Sequence, residues 1–243
     1  MLVNCIYYGM KKSLVISIVC VGLSFVLAVS LCIGALNSPV FVSSTGNPLK
    51  IVIDAGHGGI DGGVVGITTG AKESDINLAI SLKLYDKLTD NGFSVSLTRK
   101  TEEGLYGVAG KGFKKRDMAK RKEIILAEKP ALVLSIHQNR YPLKSVRGAQ
   151  VFYLAENSES KALAECLQTT LNALYQEEGV KPRIAKAGEY FILACSPYPS
   201  VIIECGFLSS EQDETLLLNP AWQKRLIESV SAGVFAYLSR NAL

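Results

Sequence analysis

The chain has 243 residues, 48% of them hydrophobic, and a formal charge of +4 from 26 Lys and Arg against 22 Asp and Glu. That length holds one domain with a sizeable core. The small charge and the lack of any long Lys/Arg run argue against nucleic acid as a partner.

Residues 1–12 read as a short cytoplasmic N-terminus ending in Lys11 and Lys12. Residues 13–36 are 24 uncharged, mostly apolar positions. As a helix they would extend about 36 Å, enough for a hydrocarbon core of about 30 Å. The two lysines orient such an anchor with the rest of the chain outside the cytoplasm. A cleaved signal segment is the competing reading, but its apolar region usually runs only about 7–15 residues, and no clear Ala-x-Ala site is present. Either way the domain is exported: membrane-anchored on the extracytoplasmic side, or secreted after cleavage. Residues 37–48, with Ser, Thr, Asn, Gly and two prolines, form a linker, and residues 49–243 form the domain.

Lys50–Asp54 (KIVID) is a short apolar run and reads as a buried strand. The glycine-rich stretch from Gly56 to Gly70 is a loop. Ser74–Asn91 has apolar residues at helical spacing and stops at Asn91-Gly92. Phe93–Leu97 is the second strand. Thr101–Gly112 is a charged, Gly-containing loop, an ordinary surface loop or a lid or docking surface. Asp117–Glu128 is a helix closed by Pro130, and Ala131–Ile136 is a third strand. Gly148–Leu154 is a strand and Ser158–Gln176 a helix. Tyr190–Ala194 and Val201–Cys205 are short strands, and Leu208–Leu218 and Ala221–Leu238 are helices. Apolar strands alternating with helices predict a single α/β domain with a mainly parallel, twisted sheet covered by helices on both faces, preceded by the N-terminal transmembrane helix.

Three strands lead into a chemically able residue: KIVIDAG into His57, ALVLSI into His137, and SVII into Glu204. In an open α/β sheet, ligands bind beyond the carboxyl ends of the strands. His57 and His137 are the only histidines, and neutral imidazole is a common zinc ligand. A hydrolytic zinc site usually has three protein ligands and one open position. With no third histidine, Glu73 is the best candidate, because the glycines after His57 let the loop fold back tightly. A lone strand-end histidine is more often structural, and a helix-start glutamate is favoured by the macrodipole. Glu204, set in the apolar run SVIIECGFL, is costly unless paired, coordinated or functional. Cys166, Cys195 and Cys205 form no CxxC pair and read as buried small hydrophobes.

His57-Gly58-Gly59-x-Asp61-Gly62-Gly63, Lys72-Glu73-Ser74-x-x-Asn77-Leu78, Leu97-Thr98-Arg99, Ser135-Ile136-His137-x-Asn139 and Glu204-Cys205-Gly206-Phe207-Leu208-Ser209 follow in order. This set resembles the zinc-dependent N-acetylmuramoyl-L-alanine amidases of bacterial cell walls, over about Lys50 to Leu238. Within that family the chain looks most like the spore-cortex type that helps make muramic δ-lactam, on the strength of Lys114-Lys115-Arg116-Asp117, Lys181-Pro182-Arg183 and the lack of a separate wall-binding module. It departs from the common pattern at Gln138-Asn139-Arg140-Tyr141, where small residues are often found.

The resemblance implies that His57, Glu73 and His137 bind Zn2+ and that Glu204 is the general base and then acid. It implies peptidoglycan as substrate, cut between the lactyl group of N-acetylmuramic acid and L-Ala; some amidases of this kind need an activating protein partner, and no motif decides that for this chain. Arg99 and Asn139 are candidates for binding substrate or orienting the site, with a structural hydrogen bond as the alternative for each. A zinc carboxypeptidase acting on the stem peptide, and an inactive membrane-tethered wall-binding protein, are the competing functions.

Overall fold

A computed structural model of the protein describes residues 46–240. The predicted N-terminus (1–12), the anchor (13–36) and nearly all of the linker (37–48) lie outside the described residues. Among the described residues, no helix is long and apolar enough to cross a membrane.

Among the described residues, six strands and six helices build the domain. The strands are β1 (Lys50–Ala55), β2 (Ser94–Leu97), β3 (Leu132–Asn139), β4 (Gln150–Tyr153), β5 (Lys186–Ala187) and β6 (Ser200–Phe207). The helices are α1 (Glu73–Asp90), α2 (Phe113–Glu128), α3 (Ser158–Gln176), α4 (Phe191–Ala194), α5 (Glu211–Leu218) and α6 (Pro220–Arg240). They form one sheet in the order β2-β1-β3-β6-β4-β5. β2, β1, β3 and β6 run parallel, and β4 joins β6 antiparallel.

Helices cover both faces. Ile51 and Ile53 of β1, Leu132, Leu134 and Ile136 of β3, and Val201 and Ile203 of β6 pack in one core with residues of α1, α3 and α6. Val52, Val133 and Ile202 point the other way and pack with Ile125 of α2 and Ile192 and Leu193 of α4. Successive strand side chains alternate between faces. That parity puts Asp54, Ser135, His137 and Glu204 on the second face, with Val52, Val133 and Ile202. Toward the carboxyl ends of the strands, this face therefore turns from aliphatic to polar and titratable.

Several boundaries differ from the sequence expectation. β3 runs three residues past Ile136 and β6 runs to Phe207, so His137 and Glu204 lie inside strands rather than after them. The α2 helix begins at Phe113, one turn before Asp117. Its first turn carries Lys114, Lys115 and Arg116 and no acid, a composition unfavourable to the dipole, and the preceding Gly112 gives no side-chain cap. The segment expected as a strand at Tyr190–Ala194 is instead the short helix α4. Its buried residues are the neighbours Ile192 and Leu193 rather than alternate positions, so it packs one side of a turn and not one face of a ladder. Strand β4 is shorter than Gly148–Leu154 and antiparallel, and β5 pairs only two residues. Helix α5 starts at Glu211, where the Ser210 hydroxyl accepts from the Asp213 N–H. Cys166, Cys195 and Cys205 are free and buried, as expected.

Candidate active site

The chain leaves β1, crosses by α1 to β2 on one side, and then returns by α2 to β3 on the other side of β1. Strand order thus reverses between β1 and β3, and such a switch point opens a crevice at the carboxyl ends of the strands. His57 follows β1 at this point, and His137 lies on β3.

His57 has φ 61°, a left-handed conformation uncommon outside glycine. Its carbonyl accepts a 2.6 Å hydrogen bond from the Arg121 guanidinium, which holds the turn. Its ring is fixed from two sides: Nδ1 lies 3.1 Å from Asp61 Oδ1, and Nε2 lies 3.2 Å from Glu73 Oε1. A carboxylate on the second nitrogen sets the tautomer of a ligating imidazole. Burial pulls the His57 pKa down, but Glu73 and Asp61 outweigh it and the net direction is up.

Glu73 is the first residue of α1 and is almost fully buried. Oε1 lies 2.9 Å from His137 Nδ1 and accepts from the Gln138 N–H at 3.1 Å, while Oε2 accepts from the Val64 N–H at 2.8 Å. Burial works against its charge, but the two imidazoles prevail and hold the carboxyl well below the usual range. Two glycines make room. A Cβ on Gly56 would run into the His137 ring, and one on Gly63, at φ 68°, would strike the Glu73 side chain.

His57, Glu73 and His137 each offer a ligand atom, and these atoms lie within 4.8 Å of one another. Two imidazole nitrogens and one carboxylate oxygen match the three-ligand set of hydrolytic zinc sites. The residues present therefore fit such an ion. On β6, Glu204 is the register neighbour of His137. Its Oε2 is buried without a hydrogen-bond partner. Burial raises its pKa to about 7, with His137 and His57 opposing and Glu73 adding to the rise. A carboxyl so poised can accept and return a proton near neutral pH.

The structure brings together all four principal residues expected from the sequence. Arg99 is buried, and its guanidinium donates to the carbonyls of Ala55, Thr101, Gly56 and Ser74. Its contacts tie the β1 turn to α1. Asn139 ends β3, and its side chain accepts from the next residue's N–H at 2.8 Å. The loop from Thr101 to Gly112 is pinned to the glycine-rich loop through the Tyr106 hydroxyl, which accepts from the Ile60 N–H at 2.8 Å.

Sequence reasoning gave no role in the site to Arg121, Asp54, Asp117 or Asp61. Arg121 is buried and donates to Asp54, Asp117 and the carbonyls of Ala55 and His57. A signal was present: Asp54 ends a buried apolar strand and needs a cation, and Asp117 and Arg121 stand four apart on one helix face.

A doubly wound α/β domain with a His-Glu-His cluster at its switch point, and a buried carboxyl on the adjoining strand, has the layout of a metal-dependent hydrolase. The family model described as N-acetylmuramoyl-L-alanine amidase matches residues 51–236, and the chain belongs to that family. The germination-specific N-acetylmuramoyl-L-alanine amidase of Bacillus subtilis is 30% identical over 194 residues, spanning 79% of this chain and 80% of that one. The CwlD amidase of Clostridioides difficile, solved in complex with the GerS lipoprotein, superposes with a TM-score of 0.74 at 35% identity, covering 79% of this chain and 98% of that one. The catalytic domain of the amidase CwlV from Bacillus (Paenibacillus) polymyxa gives 0.68 at 28% identity, with 79% and 98% covered.

Proposed function

We propose that this chain hydrolyses the amide between the lactyl group of N-acetylmuramic acid and L-Ala in peptidoglycan, with His57, Glu73 and His137 holding a zinc ion. The observation that carries this reading is the meeting of those three side chains, ligand atoms within 4.8 Å, in a domain of the amidase family. Zinc in such a site polarises a carbonyl and lowers the pKa of water from 15.7 to about 7. Glu204 takes the proton of the attacking water on its unpartnered Oε2 and returns it to the amine of L-Ala as the bond breaks. Asp61 holds the His57 ring, while Val64 and Gln138 hold the Glu73 carboxylate through their backbone N–H groups. Arg121 and Arg99 hold the turn that carries His57.

The chain acts on the extracytoplasmic side of the membrane, tethered by residues 13–36. The uncharged run and the lysines before it support that placement. The germination-specific relative supports a role in the spore cortex, where the freed lactyl carboxyl goes on to form the muramic δ-lactam. The relative solved with a lipoprotein supports a protein partner for this chain too.

Mass spectrometry of muropeptides, after incubation of the purified protein with peptidoglycan, tests the reading. The expected product is a free lactyl carboxyl beside an intact stem peptide, abolished by a chelator and restored by zinc. Loss of D-Ala from the stem instead would make the enzyme a carboxypeptidase and overturn it.

A further inference from the structure

A cavity of about 230 Å3 opens beside the His57–His137 pair, between the sheet and helices α2 and α4. Its apolar lining includes Met118 of α2, Phe191 and Ile192 of α4, and Ile202 of β6. Three carboxylates, Asp54, Asp61 and Asp117, and two basic side chains, Lys114 and Arg121, also line it, and the two bases differ in kind. Arg121 is buried and engaged on Asp54, Asp117 and two carbonyls. Lys114 is 69% exposed in its side chain, and the ion pair it makes with Asp61 Oδ2 is 3.7 Å long. The other oxygen of Asp61 faces His57 Nδ1 and the Gly63 N–H. Lys114 therefore brings an ammonium to the mouth of the cavity with donor capacity in reserve.

Helix stability does not account for this lysine. It lies in the first turn of α2, where the macrodipole disfavours a cation. It stands four residues before Met118, so both side chains share the helix face that lines the cavity. A cation over an apolar slot, next to the cluster where the amide is cut, suits a short apolar group followed by an anion. On one side of the scissile bond the substrate offers sugars without charge. On the other it offers the methyl of L-Ala and then a glutamate, whose α-carboxyl is either free or amidated.

We propose that the cavity takes the stem peptide and that Lys114 meets the glutamate α-carboxylate, so that the enzyme prefers free over amidated stems. This rests on the amidase reading above. The pair is exposed, so its effect is a modest preference that salt weakens.

The test uses two muramyl tripeptides that differ only in that α-carboxyl, free or amidated, with the zinc-loaded full chain and its Lys114→Met and Lys114→Glu variants. The wild type is expected to cleave the free acid with about five-fold higher kcat/KM, most of it in KM. In Lys114→Met the ratio falls to about one through loss on the acid alone, and in Lys114→Glu it inverts. Zinc content stays at the wild-type level in both variants. An unchanged ratio in Lys114→Met, or an equal loss on both substrates, overturns the assignment. So does a fall in zinc content, which would make Lys114 a support of the Asp61–His57 contact. Release of lactyl carboxyl from both substrates with no dependence on Lys114 sinks this proposal alone, whereas release from neither by the wild type sinks the amidase reading as well.

Discussion

At the scale of single residues, the proposed reaction turns on Glu204. Its carboxyl has one buried oxygen with no partner, and burial costs its ionised form enough to lift the pKa to about 7. The Glu204→Gln substitution keeps the shape and removes the proton carrier. It is expected to lower kcat by about 10²–10⁴-fold, with KM within a few-fold and zinc content unchanged. Steady-state kinetics on a muramyl peptide, alongside metal analysis, checks this, and near-wild-type turnover would remove Glu204 from the reaction. The residues of this site were legible because few side chains could compete. Two histidines, both following apolar runs, left little choice of imidazole, and Glu204 was conspicuous in apolar surroundings. Asp61 was less legible. Its partner is the ring four residues earlier in a loop, and nothing in the spacing of a glycine-rich loop tells which way that loop turns. Arg99 shows the opposite problem. A lone arginine after a strand reads equally well as a substrate clamp or as a structural group, and only the carbonyls around it reveal what it holds.

At the scale of elements, α2 does more than cover the sheet. It carries Arg121, which joins β1 through Asp54 and the turn through the His57 carbonyl, and it carries Asp117, which accepts from Arg121 at 2.6 Å. Asp54 also accepts from Thr98 at the end of β2 and from Ser135 of β3, so four segments meet on one carboxylate. Burial pushes Asp54 up, but Arg121 and the Ser135 hydroxyl outweigh it and hold the pKa at about 2, below the ordinary 3.8. A carboxyl lowered in the folded state contributes stability that is present in full above its unfolded pKa and is lost as pH falls through the folded one. The difference between 3.8 and about 2, at about 1.36 kcal/mol per pH unit, gives about 2 kcal/mol. Asp54→Asn leaves Arg121 short of a buried partner and is expected to cost about 3–5 kcal/mol at pH 7. Denaturant unfolding of both proteins across pH should show that gap shrinking by about 2 kcal/mol between pH 5 and pH 2. A gap that does not vary with pH would mean that Asp54 is not held ionised by this network. Elements are legible where a hydrophobic period is long, as in Ser158–Gln176, which the structure reproduces to the residue. They are obscured where local signals oppose the outcome. The basic first turn of α2 hid its start. The apolar run at 190–194 was too short to distinguish a strand from one turn of helix, and tertiary packing decided it.

At the scale of the whole molecule, the site exists because the chain reverses direction across the sheet between β1 and β3. The alternation of strands and helices made the α/β class and the mainly parallel sheet readable, since apolar strands need cover on both faces. The antiparallel entry of β4 and the two-residue β5 were not readable, because pairing partners are set by neighbours distant in sequence. Strand order, not strand content, brings His57 and His137 side by side, and the glycine-rich loop then folds Glu73 between them. The proposed hydrolysis requires these three side chains to share one zinc ion. Anomalous diffraction at the zinc absorption edge, from crystals of the purified chain, tests it most directly. A single strong peak is expected among His57, Glu73 and His137, at about 2.0–2.2 Å from one ligand atom of each. A peak elsewhere in the molecule, with these three side chains bonded only to one another in zinc-containing crystals, would contradict it.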